Sequence, residues 1–205
     1  MTERVGQAER ESLETRISLS LSLDRPEGLR VDTGLGFLNH MLTAFATHAG
    51  FGLEVTARGD LEVDAHHTVE DVGIVLGEAL RRALSKGLSI ERFGDAMVPM
   101  DEALVQVALD LSGRPYLAWE GEWPPYPAGG LWPDVWPEFF QGLCRGAGVT
   151  LHVRLLTARN QHHAAEATFK AVGRALRLAV RKRPEGNGAA GATVPSTKGR
   201  IDGWA

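Results

Sequence analysis

A single cysteine, Cys144, rules out an intramolecular disulfide and any cysteine-rich zinc site. Its simplest role is that of a small buried hydrophobe. No apolar run approaches the roughly 18 residues that span a bilayer, and the first ten residues carry Glu3, Arg4, Glu9 and Arg10 where a secretory signal needs an apolar core. The expected compartment is therefore the cytoplasm. Neither sign of charge dominates: 22 Lys and Arg against 26 Asp and Glu leave −4, with no basic excess to suggest nucleic acid. The Gly34-x-Gly36 pair lacks the following Lys or third Gly of a nucleotide loop and reads as a turn. Histidine is scarce too, with seven in 205 residues, and that scarcity makes its placement informative.

Four of the seven fall in two copies of one motif, His66-His67-Thr68-Val69-Glu70 and His162-His163-Ala164-Ala165-Glu166. Neutral imidazole and carboxylate suit a borderline divalent transition metal. The copies lie 96 positions apart (162 − 66), and their flanks follow. Gly77, Ala79, Leu80, Arg81 and Ala83 match Gly173, Ala175, Leu176, Arg177 and Ala179 at the same offset. Upstream the offset is 98: Ala49, Gly50, Leu53 and Val55 match Ala147, Gly148, Leu151 and Val153. The change falls in the connection before each His pair, where loops tolerate length differences. This is the signature of an internal duplication.

Hydrophobic content of 43% and charged content of 23% are those of a globular protein. Apolar spacing predicts helices over Leu38–Ala49, Phe139–Ala147, His66–Ser85 and His162–Arg181, and strands at Leu53–Val55 and Val149–Leu155. Ile17, Leu19, Leu21 and Leu23 alternate with serines, and Val105, Val107, Leu109 and Leu111 also alternate, as half-buried strands do. The fold class expected is α+β: two tandem similar units, each with strands on one side and helices on the other. The units expected are 1–95 and 96–183. Trp123–Pro137, with five prolines, reads as an irregular loop, and 184–205 as a flexible C-terminal tail with too few apolar residues to fold alone.

If His-His-x-x-Glu opens a helix, side chains four apart share a face, while adjacent ones diverge by about 100°. His66 and Glu70 can then serve one metal while His67 reaches a different one, and likewise His162 and Glu166 against His163. His40 plus 98 lands on Glu138, and both residues are competent ligands. His48 aligns with Gly146, so its role is not shared by the two units. Arg92, Arg114 and Lys198 stand beside small hydroxyl residues as a phosphate site requires, although solvated surface charge is the simpler reading of spacing alone.

Six segments together resemble the imidazoleglycerol-phosphate dehydratase family: Gly36–Leu42, Asp64–Asp71, Met100–Leu104, Asp110–Pro115, His162–Ala167 and Ser196–Gly199. The resemblance implies a monofunctional hydro-lyase of histidine biosynthesis, which removes water from imidazoleglycerol phosphate to give imidazole acetol phosphate. It implies two manganese ions per active site and a 24-subunit assembly built from trimers, with active sites between subunits. It also implies a four-stranded sheet with packed helices in each unit, a duplication of the ribosomal S5 domain 2-like kind. By matching position, one metal would take His40, His67, His162 and Glu166, and the other His66, Glu70, His163 and position 138. Many members have His where this chain has Glu138, so a site with more anionic ligand charge is expected. Glu14 matches the acid/base glutamate and His48 a substrate contact, while Arg92, Arg114, Lys170, Ser196 and Lys198 match the phosphate-binding set, the tail thereby joining the active site. Two other readings compete: a dinuclear metallohydrolase, which would normally show a bridging carboxylate, and a non-catalytic metal-binding assembly protein.

Overall fold

The computed structural model describes residues 3–84 and 89–183. Ser196 and Lys198, with the rest of the expected tail, lie outside the described residues, as does Ser85. Two four-stranded sheets organise the chain. The first contains β1 (Val5–Glu11), β2 (Thr15–Ser22), β3 (Arg30–Asp32) and β4 (Gly52–Gly59) in the order β1-β2-β4-β3. The second contains β5 (Phe93–Met100), β6 (Ala103–Asp110), β7 (Tyr116–Glu120) and β8 (Thr150–Thr157) in the order β5-β6-β8-β7. In each sheet the short edge strand, β3 or β7, runs parallel to its neighbour and the other pairs are antiparallel. The α+β duplication is therefore present in both sequence and topology. The second sheet begins at Phe93, so a division between 95 and 96 falls inside β5 rather than ahead of it.

Alternation sets which face of each sheet is buried. In the β2–β4 ladder Leu19 lies opposite Val55, and in the β6–β8 ladder Val107 lies opposite Val153, all four buried. Covering these faces are α1 (Gly36–Ala49), α2 (His66–Leu84), α3 (Val135–Ala147) and α4 (Gln161–Ala179). Helix α2 packs on β1 and β2, and α4 on β5 and β6. The units join through α2 on α3 and α1 on α4, so one continuous hydrophobic core runs through both. Both α1 and α3 end at a glycine in the left-handed region, Gly50 (φ 69°) and Gly148 (φ 68°), the conformation that closes a helix most cheaply.

One segment corrects the sequence expectation. Trp123–Pro137 is irregular only as far as Asp134, because α3 starts at Val135 and takes in Trp136 and Pro137. Proline belongs comfortably there: the first turn of a helix has no acceptor for its N–H groups, so a residue without one loses nothing. Among the described residues no helix is long and apolar enough to cross a membrane.

Candidate metal centre

Both motifs open a helix, and the same device starts each. The side chain of Asp64 accepts from His66 N at 2.7 Å, and that of Asn160 accepts from His162 N at 2.9 Å. These capping residues are themselves 96 apart (160 − 64) and satisfy donors the helix leaves unpaired. Within each motif the adjacent rings splay as helical geometry demands. His66 and His67 have centroids 6.0 Å apart at 89°, and His162 and His163 are 6.1 Å apart at 80°.

The first histidine of each pair faces its own glutamate. His162 Nε2 lies 3.0 Å from Glu166 Oε2, and His40 Nε2 reaches the same oxygen at 3.2 Å from α1. Among the described residues, His40, His162 and Glu166 form a group whose ligand atoms all lie within 4.8 Å of one another. Phe37 seats the imidazoles from below, its ring 5.0 Å from that of His162 and 6.4 Å from that of His40. Lys170 Nζ meets the other oxygen of Glu166 at 2.7 Å. Burial pushes the Glu166 carboxyl up, but Lys170 and the two imidazoles outweigh it and bring it down to about 2. The result is a buried, ionised carboxylate faced by two half-exposed imidazoles.

The first unit holds a looser counterpart. His66 Nε2 is 3.8 Å from Glu70 Oε2, and Glu70 is engaged by Arg145 from α3. Glu138 lies in the first turn of α3, one residue before Phe139, whose carbonyl abuts Gly73 of α2.

The second histidines point elsewhere and are held by carboxylates. His67 Nδ1 lies 3.0 Å from Asp60 Oδ2, while Glu14 Oε1 approaches its Nε2 at 3.8 Å. Asp60, followed by Glu14, keeps the His67 imidazole readier to protonate than usual. His163 Nδ1 lies 2.8 Å from Glu102 Oε2, and Asp101 is 3.7 Å from its Nε2. The His163 bond, with backbone donors, holds the Glu102 carboxyl down to about 2. Neither His67 nor His163 joins the His40 group within one chain.

The remaining candidates fall into two places. Arg92 grips Asp110 through Nε at 2.7 Å and Nη2 at 2.9 Å, and Arg114 reaches the same carboxylate at 4.0 Å. His48 lines a depression with Asp95, Arg174, Arg177 and Arg181, and burial, then Lys170 and Arg174, lower its pKa. Sequence reasoning passed over Asp60, Glu102 and Arg145. Glu102 had a signal: the β2 and β6 alternations match at an offset of 88 (105 − 17), and Glu14 plus 88 is 102.

The family profile described as imidazoleglycerol-phosphate dehydratase matches residues 33–176. The chain belongs to that family. It is similar to the imidazoleglycerol-phosphate dehydratase of Limosilactobacillus fermentum, 52% identical over 198 residues that make up 97% of this chain and 100% of the relative. The Desulfitobacterium hafniense dehydratase is 51% identical over 97% of this chain and 99% of its own length. Among solved dehydratase structures, that from Pyrococcus furiosus superposes with a TM-score of 0.78 at 39% identity, covering 93% of this chain and 98% of the other. That from Staphylococcus aureus gives 0.79 at 37% identity, covering 87% and 99%. The dehydratase resemblance thus extends from the motifs to the whole duplicated fold.

Proposed function

We propose that this chain removes water from imidazoleglycerol phosphate to give imidazole acetol phosphate, a step of histidine biosynthesis, at a site completed by a second copy of the chain. The observation that carries the reading is the convergence of His40, His162 and Glu166 in a member of the dehydratase family. The donor set fits a divalent ion such as manganese: three groups already converge, and His67 and His163 are steadied at Nδ1, with Glu14 and Asp101 approaching their Nε2 atoms at 3.8 and 3.7 Å. Two such ions would supply the positive charge that holds a bound imidazole ring as its anion. His40, His162 and Glu166 would share one ion with His67. His66, Glu70 and Glu138 would share the other with His163. Because the His67 and His40 groups stand apart within one chain, the two halves would come from different copies, in keeping with a 24-subunit assembly of trimers.

Glu14 suits proton transfer: it sits at the tip of the β1–β2 hairpin, about half exposed, with only a distant imidazole for company. The low pKa of His48 favours a neutral ring able to accept from a substrate hydroxyl. Arg92 and Arg114 at Asp110, together with Lys170, would take the phosphate, joined by Ser196 and Lys198 from outside the described residues. The cytoplasm is the compartment this reading places it in.

Incubating metal-loaded protein with imidazoleglycerol phosphate should yield the ketone and no inorganic phosphate, and chelation should abolish turnover. Phosphate release without ketone would overturn the reading in favour of a dinuclear metallohydrolase.

A further inference from the structure

The second histidine of each motif is gripped from outside its helix. His163 Nδ1 meets Glu102 from the β5–β6 hairpin, and His67 Nδ1 meets Asp60 from the connection before α2. Both carboxylates are largely buried, with about a fifth of each side chain exposed (21% and 19%). An ionised carboxylate only accepts, so Nδ1 must carry the proton and the lone pair is left on Nε2. Glu102 is anchored in turn: its Oε1 accepts the backbone N–H of Arg159 at 3.2 Å and of Asn160 at 2.7 Å. Its first-unit counterpart, Glu14, has no such anchor and stays 54% exposed.

We propose that Glu102 and Asp60 are positioning residues that fix the Nδ1–H tautomer of His163 and His67 and so reserve Nε2 for a metal ion. The duplicated hairpin carboxylate has then divided its work, Glu14 remaining free to move a proton while Glu102 holds a ligand. The inference rests on the reading of these histidines as ligands.

Glu102→Gln separates positioning from simple support. Its carbonyl oxygen can keep the Arg159 and Asn160 bonds, but its amide nitrogen then faces Nδ1 and donates to it. That forces the proton onto Nε2, where it blocks a metal. Glu102→Ala removes the anchor and leaves the tautomer free. Manganese titrations of the assembled protein, followed by the electron paramagnetic resonance of free ion, should show affinity falling about 10- to 100-fold in Glu102→Gln. The Gln variant should lose at least as much as the Ala variant while keeping a metal-free melting temperature nearer to that of the unaltered protein. Asp60→Asn should also lower affinity through His67, by a smaller factor, because no donor holds the other oxygen of Asp60 and the amide can turn its carbonyl to Nδ1. Unchanged manganese affinity in Glu102→Gln and Asp60→Asn would overturn the positioning role alone. Absence of manganese binding by the unaltered protein would overturn the metal reading, and this inference with it.

Discussion

Glu166 and Glu70 hold the same place in the two motifs, yet their neighbours give them different characters. Glu166 spends one oxygen on Lys170 and offers the other to two imidazoles. Glu70 is drawn instead to Arg145, and the residue corresponding to Lys170 is Ile74 (170 − 96). On the proposed reading the second-unit motif would meet a cation as it stands, whereas the first would have to give up an arginine. Glu14 differs from both, being exposed and only loosely approached. If it carries the proton, Glu14→Gln should lower turnover by about 10²- to 10⁴-fold. Manganese binding should stay as in the unaltered protein, because Glu14 is not among the proposed ligands. Single-turnover kinetics with imidazoleglycerol phosphate, beside a metal titration, checks both halves. Unchanged turnover would remove Glu14 from the reaction.

The seams between helices differ in the two units as the two halves of the site do. The α2–α3 seam is lined by Gly73, Gly77, Gly142 and Gly146, each backed by main-chain atoms of the opposite helix. The corresponding positions on α4 and α1 hold Phe169 (73 + 96), Gly173 (77 + 96), Ala44 (142 − 98) and His48 (146 − 98), so one glycine of the four survives, and Phe169 turns its ring onto Trp136, Phe139 and Phe140 of α3. The His40, His162 and Glu166 group spans these two helices, α1 and α4. A methyl group at Gly73 would fall on the Phe139 carbonyl, which is backbone and cannot swing aside. Gly73→Ala should cost about 1–3 kcal/mol, as overpacking of a filled contact does. Gly36→Ala, with open space around it, should be neutral or stabilising by about 0.4–1 kcal/mol. Urea denaturation of the two variants tests the contrast, and equal stabilities would refute it. The same close packing hid two strands from the sequence. On β1 the helix-facing positions include Gly6 and Ala8, and on β5 Gly94, all buried. Both glycines lie against helix backbone, at Ala79 and Ala175, where no larger residue fits. Alternation of large apolar side chains reveals β2 and β6 and cannot reveal strands whose buried residues are the smallest ones. The short parallel strands β3 and β7 stand at sheet edges and lack a clear alternation. In the site, the His162–Glu166 pair was legible because helical spacing fixes it locally. Asp60, Glu102 and Arg145 were not, because tertiary packing brings them to their partners from 7, 61 and 75 residues away.

At the scale of the whole molecule, one chain would carry the proposed ligands for two metals but gathers only part of either set. His40, His162 and Glu166 meet where α1 and α4 cross, while His67 stands with Asp60 and Glu14. His66 and His67 share one helix start, and His162 and His163 share the other. A copy that lends His67 to a neighbour's His40 group therefore brings its own His66 and Glu70 to the same place, and receives His163 in return. Each complete site would thus need the α2 face of one copy and the α4 face of another, which is how a duplicated unit can build a nearly symmetric pair of metals. This makes a genetic test decisive. His67→Ala damages only the lending face and Glu166→Gln only the receiving face, so each variant alone should be inactive. Dissociating and reassembling the two together should restore roughly a quarter of the sites by random assortment, those pairing an intact α4 face with an intact α2 face. If both faces of every site came from one copy, every site in the mixture would carry one of the two lesions. Dehydratase activity of the reassembled mixture, measured against each variant reassembled alone, distinguishes the cases, and no recovery despite confirmed co-assembly would rule out the shared site.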